Sequence, residues 1–213
     1  TNSALDVPFS LVSVLQGGTL ISTSTSPFVL LEGGNHSLGT NVAIFDVAGV
    51  NTALDAATGL TLGTDEPLRH GGVFLDASSA AIKTRSLLQV DTALLEATAP
   101  LLNLAAGASL TTTSNAVDLV GKAKLYIPND AIAMINLSAS SLTVTNGHLV
   151  NVAGGSSLNL AGSLVNLSNG STLNILNGLL LNATGGSVAN IGKSLVSFSG
   201  SGNLLNVTNN LVP

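Results

Sequence analysis

The sequence predicts an all-β fold, a single-stranded parallel β-solenoid with about 15 to 16 residues per coil. Three observations point there. A four-residue phrase, Leu-Val-Asn-Leu or a close variant, begins at Met134, Leu149, Leu164, Leu180 and Leu195, in steps of 15, 15, 16 and 15 residues. So short a repeat cannot hold a helix pair or a propeller blade, which need about 30 to 45 residues. Breaks rich in Gly, Ser and Asn separate the phrases. Finally, only 8% of the 213 residues are charged and 3% aromatic, against 45% hydrophobic; the usual charged share is about 25%. That composition sets a neutral coat of Asn, Ser, Thr and Gly around a column-shaped core, and its apolar content excludes disorder.

The earliest copies of the phrase are faint: Leu11-Val12-Ser13-Val14, Leu30-Leu31-Glu32, Ile44-Phe45-Asp46-Val47 and Phe74-Leu75-Asp76-Ala77. They sharpen from Leu87-Leu88-Gln89-Val90 through Leu101-Leu102-Asn103-Leu104 and Ala116-Val117-Asp118-Leu119. Between the phrases lies a second alternating strand, as in Leu110-Thr111-Thr112, Leu142-Thr143-Val144, Leu158-Asn159-Leu160 and Leu173-Asn174-Ile175. The joints, Gly154-Gly155-Ser156-Ser157, Asn169-Gly170-Ser171-Thr172 and Gly185-Gly186-Ser187, contain the residues that accept a positive φ. One continuous domain follows, with less regular coils over 1–86 and regular coils over 87–213. The thirty residues from Ile44 to Phe74 admit two coils, or one coil and an excursion; charge and breakers near 64–72 place a protruding loop there. Ala, Leu and Glu between Asp91 and Ala99 favour a helix, but the phrase resumes on schedule at Leu101, which favours a strand. In total the repeat predicts 12 or 13 coils, a column of about 60 Å at about 4.8 Å per coil, right-handed by the parallel crossover preference.

Side chains alternate across a strand, so positions two and four of the phrase face inward: Val150 and Val152, Val165 and Leu167, Leu102 and Leu104. Position three faces outward. It predicts one column, Asn103, Asp118, Asn136, Asn151, Asn166 and Asn182, whose amides hydrogen-bond from coil to coil and lock register.

The same residues narrow the chemistry. No Cys is present, so there is no disulfide or thiolate metal site. Polar residues interrupt every Leu-rich run, which excludes a transmembrane helix. An opening at Thr1 without Met or an apolar leader fits a processed, exported protein, secreted or on the cell surface. Sequons occur at Asn35, Asn136, Asn166, Asn169, Asn182 and Asn206; about four arise by chance in a chain this rich in Asn, Ser and Thr, so they carry little weight for glycosylation. Six Lys and Arg against eleven Asp and Glu, with a net charge of −5, disfavour nucleic acid. His36, His70 and His148 lie far apart without metal-ligand spacing and read as turn residues.

For sugar chemistry the candidate acids are Asp46, Asp76 and Asp118, with Lys122 and Lys124 near the last. As members of the outward column they read as ladder residues. Glu32, Asp46 and Asp76 supply the oxygen chemistry of a calcium site, but no EF-hand or Gly-rich nonapeptide spacing accompanies them. The Gly pairs lack the Lys and the helix of a phosphate loop. Hence no enzyme activity, catalytic residue, metal or cofactor is expected. Thr23-Ser24-Thr25, Thr111-Thr112-Thr113 and Thr143-Val144-Thr145 resemble the rungs of ice-binding solenoids, but Tyr126, Asn159 and Asn174 interrupt a continuous array.

Charge distribution points to assembly. After Asp130 the only charged residue is Lys193, and surfaces near zero charge associate. A solenoid exposes unpaired strand edges at both ends unless they are capped. The chain stops at Leu211-Val212-Pro213 as a new phrase begins, and no capping helix is evident at the start. The expected interface therefore comprises Ala4, Leu5, Val7, Leu11, Val12 and Val14 at one end and Leu205, Val207, Leu211 and Val212 at the other. The expected partner is the chain itself, in a head-to-tail homopolymer; glycans are the alternative.

In repeat style, the Leu-x-Asn-Leu phrases with Gly, Ser and Asn turns resemble the parallel β-helices of secreted bacterial adhesins of the filamentous-haemagglutinin and autotransporter-passenger type. The resemblance covers 87–213 well and 1–86 poorly. It implies export, an elongated rod and an adhesive or matrix role. Those passengers are much longer, which shifts the expectation toward a polymerising subunit.

Overall fold

Alternating apolar and polar residues make short strands, and left-handed residues between them make corners; repeated, the two wind a column. The computed structural model describes residues 4–15, 20–48 and 68–209. Its strands run β1 (Ala4–Val7), β2 (Val12–Leu15), β3 (Leu20–Ser22) and β4 (Val29–Glu32) in the first turn. The second turn holds β5 (Asn35–Leu38), β6 (Ala43–Ala48), β7 (Leu68–His70) and β8 (Leu75–Ser78). Next come β9 (Ala81–Thr84), β10 (Ser86–Asp91), β11 (Leu94–Ala97) and β12 (Leu102–Ala105), then β13 (Ser109–Thr112), β14 (Val117–Val120), β15 (Lys124–Ile127) and β16 (Ala133–Ser138). The upper turns are β17 (Ser141–Val144), β18 (Val150–Val152), β19 (Ser157–Leu160) and β20 (Ser163–Ser168), followed by β21 (Thr172–Ile175), β22 (Leu181–Ala183), β23 (Val188–Ile191) and β24 (Val196–Ser199); β25 (Leu204–Val207) is last. No helix occurs among the described residues.

Every fourth strand pairs in parallel, which gives four sheets: sheet 1 (β1, β5, β9, β13, β17, β21, β25), sheet 2 (β2 to β22), sheet 3 (β3 to β23) and sheet 4 (β4 to β24). The β-solenoid is thus as expected, but its turn is not. One turn takes 27 to 33 residues, as between Asp76 and Asn103, Asn151 and Asn182, or Asp118 and Asn151. The 15-residue phrase marks half a turn, falling alternately on sheets 2 and 4. About six turns replace the expected 12 or 13 coils, and the column is about 29 Å long instead of about 60 Å. Two phrase strands and two intervening strands must all contribute before the path closes on itself. One interval widens to 45 residues, between Gly39 and Thr84. Its extra length falls in 49–67, outside the described residues, as does 64–67 of the expected loop; the chain is back in the column at β7. Asp91 to Ala99 carries β11, so the strand reading holds over the helix.

The inward face is as the alternation demands. Leu75, Leu102, Ile135 and Val165 stack on successive turns of sheet 4, each with no exposure. Burial of each such Leu contributes about 1.5 to 3 kcal/mol relative to exposure. Corners use the expected residues: Gly154 and Gly155 have φ of 66° and 76°, and Asn169 and Gly170 have 56° and 78°. Each corner is capped from the turn that follows it in sequence. Ser187 Oγ accepts from the Gly155 and Ser156 N–H groups at 3.1 Å, and Asn203 Oδ1 accepts from Gly170 and Ser171 at 3.1 and 3.0 Å.

Three further expectations are corrected. The single outward column is two: Asp76, Asn103, Asn136, Asn166 and Ser197 on sheet 4, and Asp46, Gln89, Asp118, Asn151 and Asn182 on sheet 2. In the first turn the phrase is out by two, because Leu30, not Glu32, is the register partner of Asp76. His36 and His70 are not turn residues but buried strand residues, with Nε2 hydrogen-bonded to the Gly33 and Ser26 carbonyls at 2.8 and 3.0 Å.

Candidate functional site

The acids offered for catalysis are scattered by the four-sheet turn. Asp46 and Asp118 share sheet 2 but stand two strands apart with Gln89 between them, while Asp76 belongs to sheet 4. Asp118 accepts from Asn115 and Asn151 Nδ2 at 3.2 and 2.7 Å, and Asp76 accepts from Asn103 at 2.7 Å. Burial, with Asp91 nearby, pushes the Asp46 carboxyl above its ordinary value, and Arg85 opposes this. Lys122 sits at a corner with φ of 69° and Lys124 opens β15 on sheet 3. Glu32 and Asp76 lie on sheet 4 two register positions apart, and Asp46 lies on sheet 2. Among the described residues no group of three His, Asp or Glu gathers to hold a metal ion, and no helix is long and apolar enough to cross a membrane. Thr111 and Thr143 do stack on sheet 1, but Lys83 precedes them and Asn174 follows, so the array has two rungs.

The rims are the places where the pattern is interrupted. At the N-terminal rim β1 to β4, and at the C-terminal rim β22 to β25, each strand has a partner on one side only among the described residues. Inward side chains that are covered everywhere else are open here: Leu167 is fully buried, whereas Phe198, its register partner on the last turn, is 55% exposed. Likewise Leu5 is 41% exposed directly beneath His36, which is 7% exposed. All nine large exposed hydrophobics among the described residues lie near one end of the column or the other: Leu5, Phe9, Leu15, Ile21 and Leu30 at the start, and Leu176, Val188, Phe198 and Leu204 at the finish.

Of the interface residues expected from sequence, Ala4 and Leu5 are exposed on β1, and Val7, Leu11 and Val12 are half-buried; Val14 is buried. Leu205 and Val207 are half-buried on β25, and Leu211 and Val212 lie outside the described residues. Ile21, Leu30, Val188 and Phe198 were missed. Leu30 carried a legible signal, an apolar residue in the outward slot that other turns give to Asp or Asn.

The outward ladders also have a direction. Asn151 donates to Asp118, Asn182 to Asn151, Asn190 to Asn159 and Ser197 to Asn166, at 2.7, 2.7, 2.8 and 3.0 Å, so each donor lies one turn later than its acceptor. The rims differ in charge as well: residues 1–48 carry Asp6, Glu32 and Asp46 with no Lys or Arg, and residues beyond Asp130 carry only Lys193. Lys193 meets Asp130 at 3.7 Å on the surface, an exposed pair worth little, beside a shallow trough lined by Asn136, Ser163, Asn166 and Ser197. Comparison of the chain with models of known protein families, with curated proteins and with solved structures returned no match.

Proposed function

We propose that this chain is a non-enzymatic structural protein that assembles head to tail, the C-terminal rim of one copy seating the N-terminal rim of the next. The observation that carries this reading is the confinement of exposed large hydrophobics to the two ends of the column. Stacking buries the inward-facing ones, Leu5 and Phe198, and supplies partners for eight edge strands. The ladder direction favours head to tail over head to head: Ser13, the first-turn residue of the sheet 2 column, can donate to Asn182 Oδ1 of the copy below and continue the bonds already made there. An acidic start and a finish bearing only Lys193 point the same way. A heterologous contact of this kind extends without closing, which gives a filament. An extracellular setting is supported by a repeat style that resembles that of secreted adhesins, and the cysteine-free composition is compatible with it. The polar trough beside Asn136 and Asn166 favours glycan contact as the second reading; retention on immobilised glycans by monomers that do not polymerise supports it instead.

Two rim variants test the proposal. Leu5→Asp blocks the N-terminal rim and Phe198→Asp the C-terminal rim, each at an inward-facing residue that is already exposed. Sedimentation is expected to show concentration-dependent polymers for the wild type, monomers for either variant alone, and dimers when the two are mixed. Dimers from Leu5→Asp alone would instead mean contact between like rims.

A further inference from the structure

Two imidazoles lie directly above the N-terminal rim and hold its corners. His36 on β5 stacks on Leu5 of β1, and its Nε2–H donates to the carbonyl of Gly33, which joins β4 to β5. His70 on β7 stacks on Ser22 of β3, and its Nε2–H donates to the carbonyl of Ser26, between β3 and β4. The His70 ring also lies on Phe28 with centroids 3.7 Å apart and meets the edge of Phe74 at 5.5 Å. Both residues are buried, at 7% and 1% exposure, and both Nδ1 atoms are buried with no hydrogen-bond partner. In the neutral His70 ring, donation from Nε2 leaves Nδ1 bare.

We propose that His70 forms an acid-sensitive clamp: protonation places a charge and a new donor directly above the first turn, loosens it, and releases the copy docked on that rim. This deepens the head-to-tail reading and rests on it. The groups packed against His70 are Ser22, Ser26, Phe28, Phe74 and Ala97, none of them charged; Glu96 and Arg69 are register partners one position away. His36 packs against Leu5 and Ile82, each followed in its strand by a charged residue, Asp6 and Lys83, and Glu32 precedes Gly33. Burial holds the His70 imidazole below its ordinary value of 6.5, with the Ser26 and Val73 carbonyls offsetting part of this. The stability contributed by the neutral ring is therefore complete above that value and lost as pH falls below it. Asp46 on the neighbouring sheet acts in the opposite sense, because its carboxyl is pushed up and acid relieves it. His148 is a separate contribution at the far end: burial lowers it, Asp118 opposes this, and its Nδ1 accepts from Leu179 N–H at 3.0 Å.

Filament mass and segment-resolved hydrogen exchange at about pH 7.5 and about pH 5 test the clamp. Exchange is read on Phe198→Asp monomers, which keep the N-terminal rim native, and is corrected for intrinsic rates. The expected result is a rise of about tenfold in free subunit on acidification, comparable to one unsatisfied buried donor. Amides of residues 4–15 and 20–32 should lose protection, and His70→Gln should remove both effects while leaving any change near Leu179. Wild type that stays monomeric at neutral pH overturns axial stacking, yet the exchange arm still decides the clamp. Filaments whose first-turn protection is indifferent to pH overturn the clamp alone, and the wild-type comparison suffices if His70→Gln does not fold.

Discussion

Val165→Asp is expected to unfold the upper turns of the column together and to lower stability by about 4 kcal/mol or more. Val165 has no exposure and lies between Ile135 below and Val196 above on sheet 4. Nothing in that stack can pair a carboxylate, so the charge must stay unpaired or the turn must open. Because each turn is supported only by its neighbours, opening at β20 strips the cover from β16 and β24 as well. A urea titration followed by circular dichroism checks this. A Val165→Asp protein with the wild-type midpoint means that the inward face has been misassigned.

Gly178→Ala should cost about 3 kcal/mol, a fall of about 10 °C in Tm for a chain of this size. The reason is backbone against backbone. A Cβ at Gly178 would stand 1.8 Å from the Gly147 carbonyl oxygen and 2.4 Å from its carbon. No side chain can rotate to relieve that contact, so the corner must part. The bonds that join these two turns are then strained: Gly147 N–H to the Asn177 carbonyl at 3.2 Å and Leu179 N–H to His148 Nδ1 at 3.0 Å. Gly186→Ala is the control, since its Cβ would meet nothing within 4 Å, although its φ of 74° still carries a smaller backbone cost. Equal melting temperatures for Gly178→Ala and the wild type would contradict the turn-on-turn contact.

How much of this was legible in the sequence follows from which physical rule governs each feature. Facing is set by the two-residue period of a strand, so Val150, Val152, Val165 and Leu167 were placed inward correctly from the phrase alone. Turn size is set by closure of the path, which the phrase does not encode, because sheets 2 and 4 carry nearly the same words. The corners did encode it: Gly154-Gly155-Ser156 returns at Gly185-Gly186-Ser187, 31 residues on, not 15. His36 and His70 were misplaced because a polar residue suggests a corner, while the alternation of His36 with the buried Leu38 already marked the inward face. The end residues Leu5 and Leu205 were legible as strand residues, but the weight of Ile21, Leu30 and Phe198 at the rims depends on which strands are outermost, a property of the whole winding.

Axial stacking of six-turn columns has one direct signature, diffraction from aligned filaments of the wild-type protein. A meridional reflection near 4.8 Å, with a subunit repeat of about 29 Å or a small multiple of it, is the expected result. Filaments whose 4.8 Å spacing runs across their axis, or monomers at every concentration with both rims intact, would contradict the account.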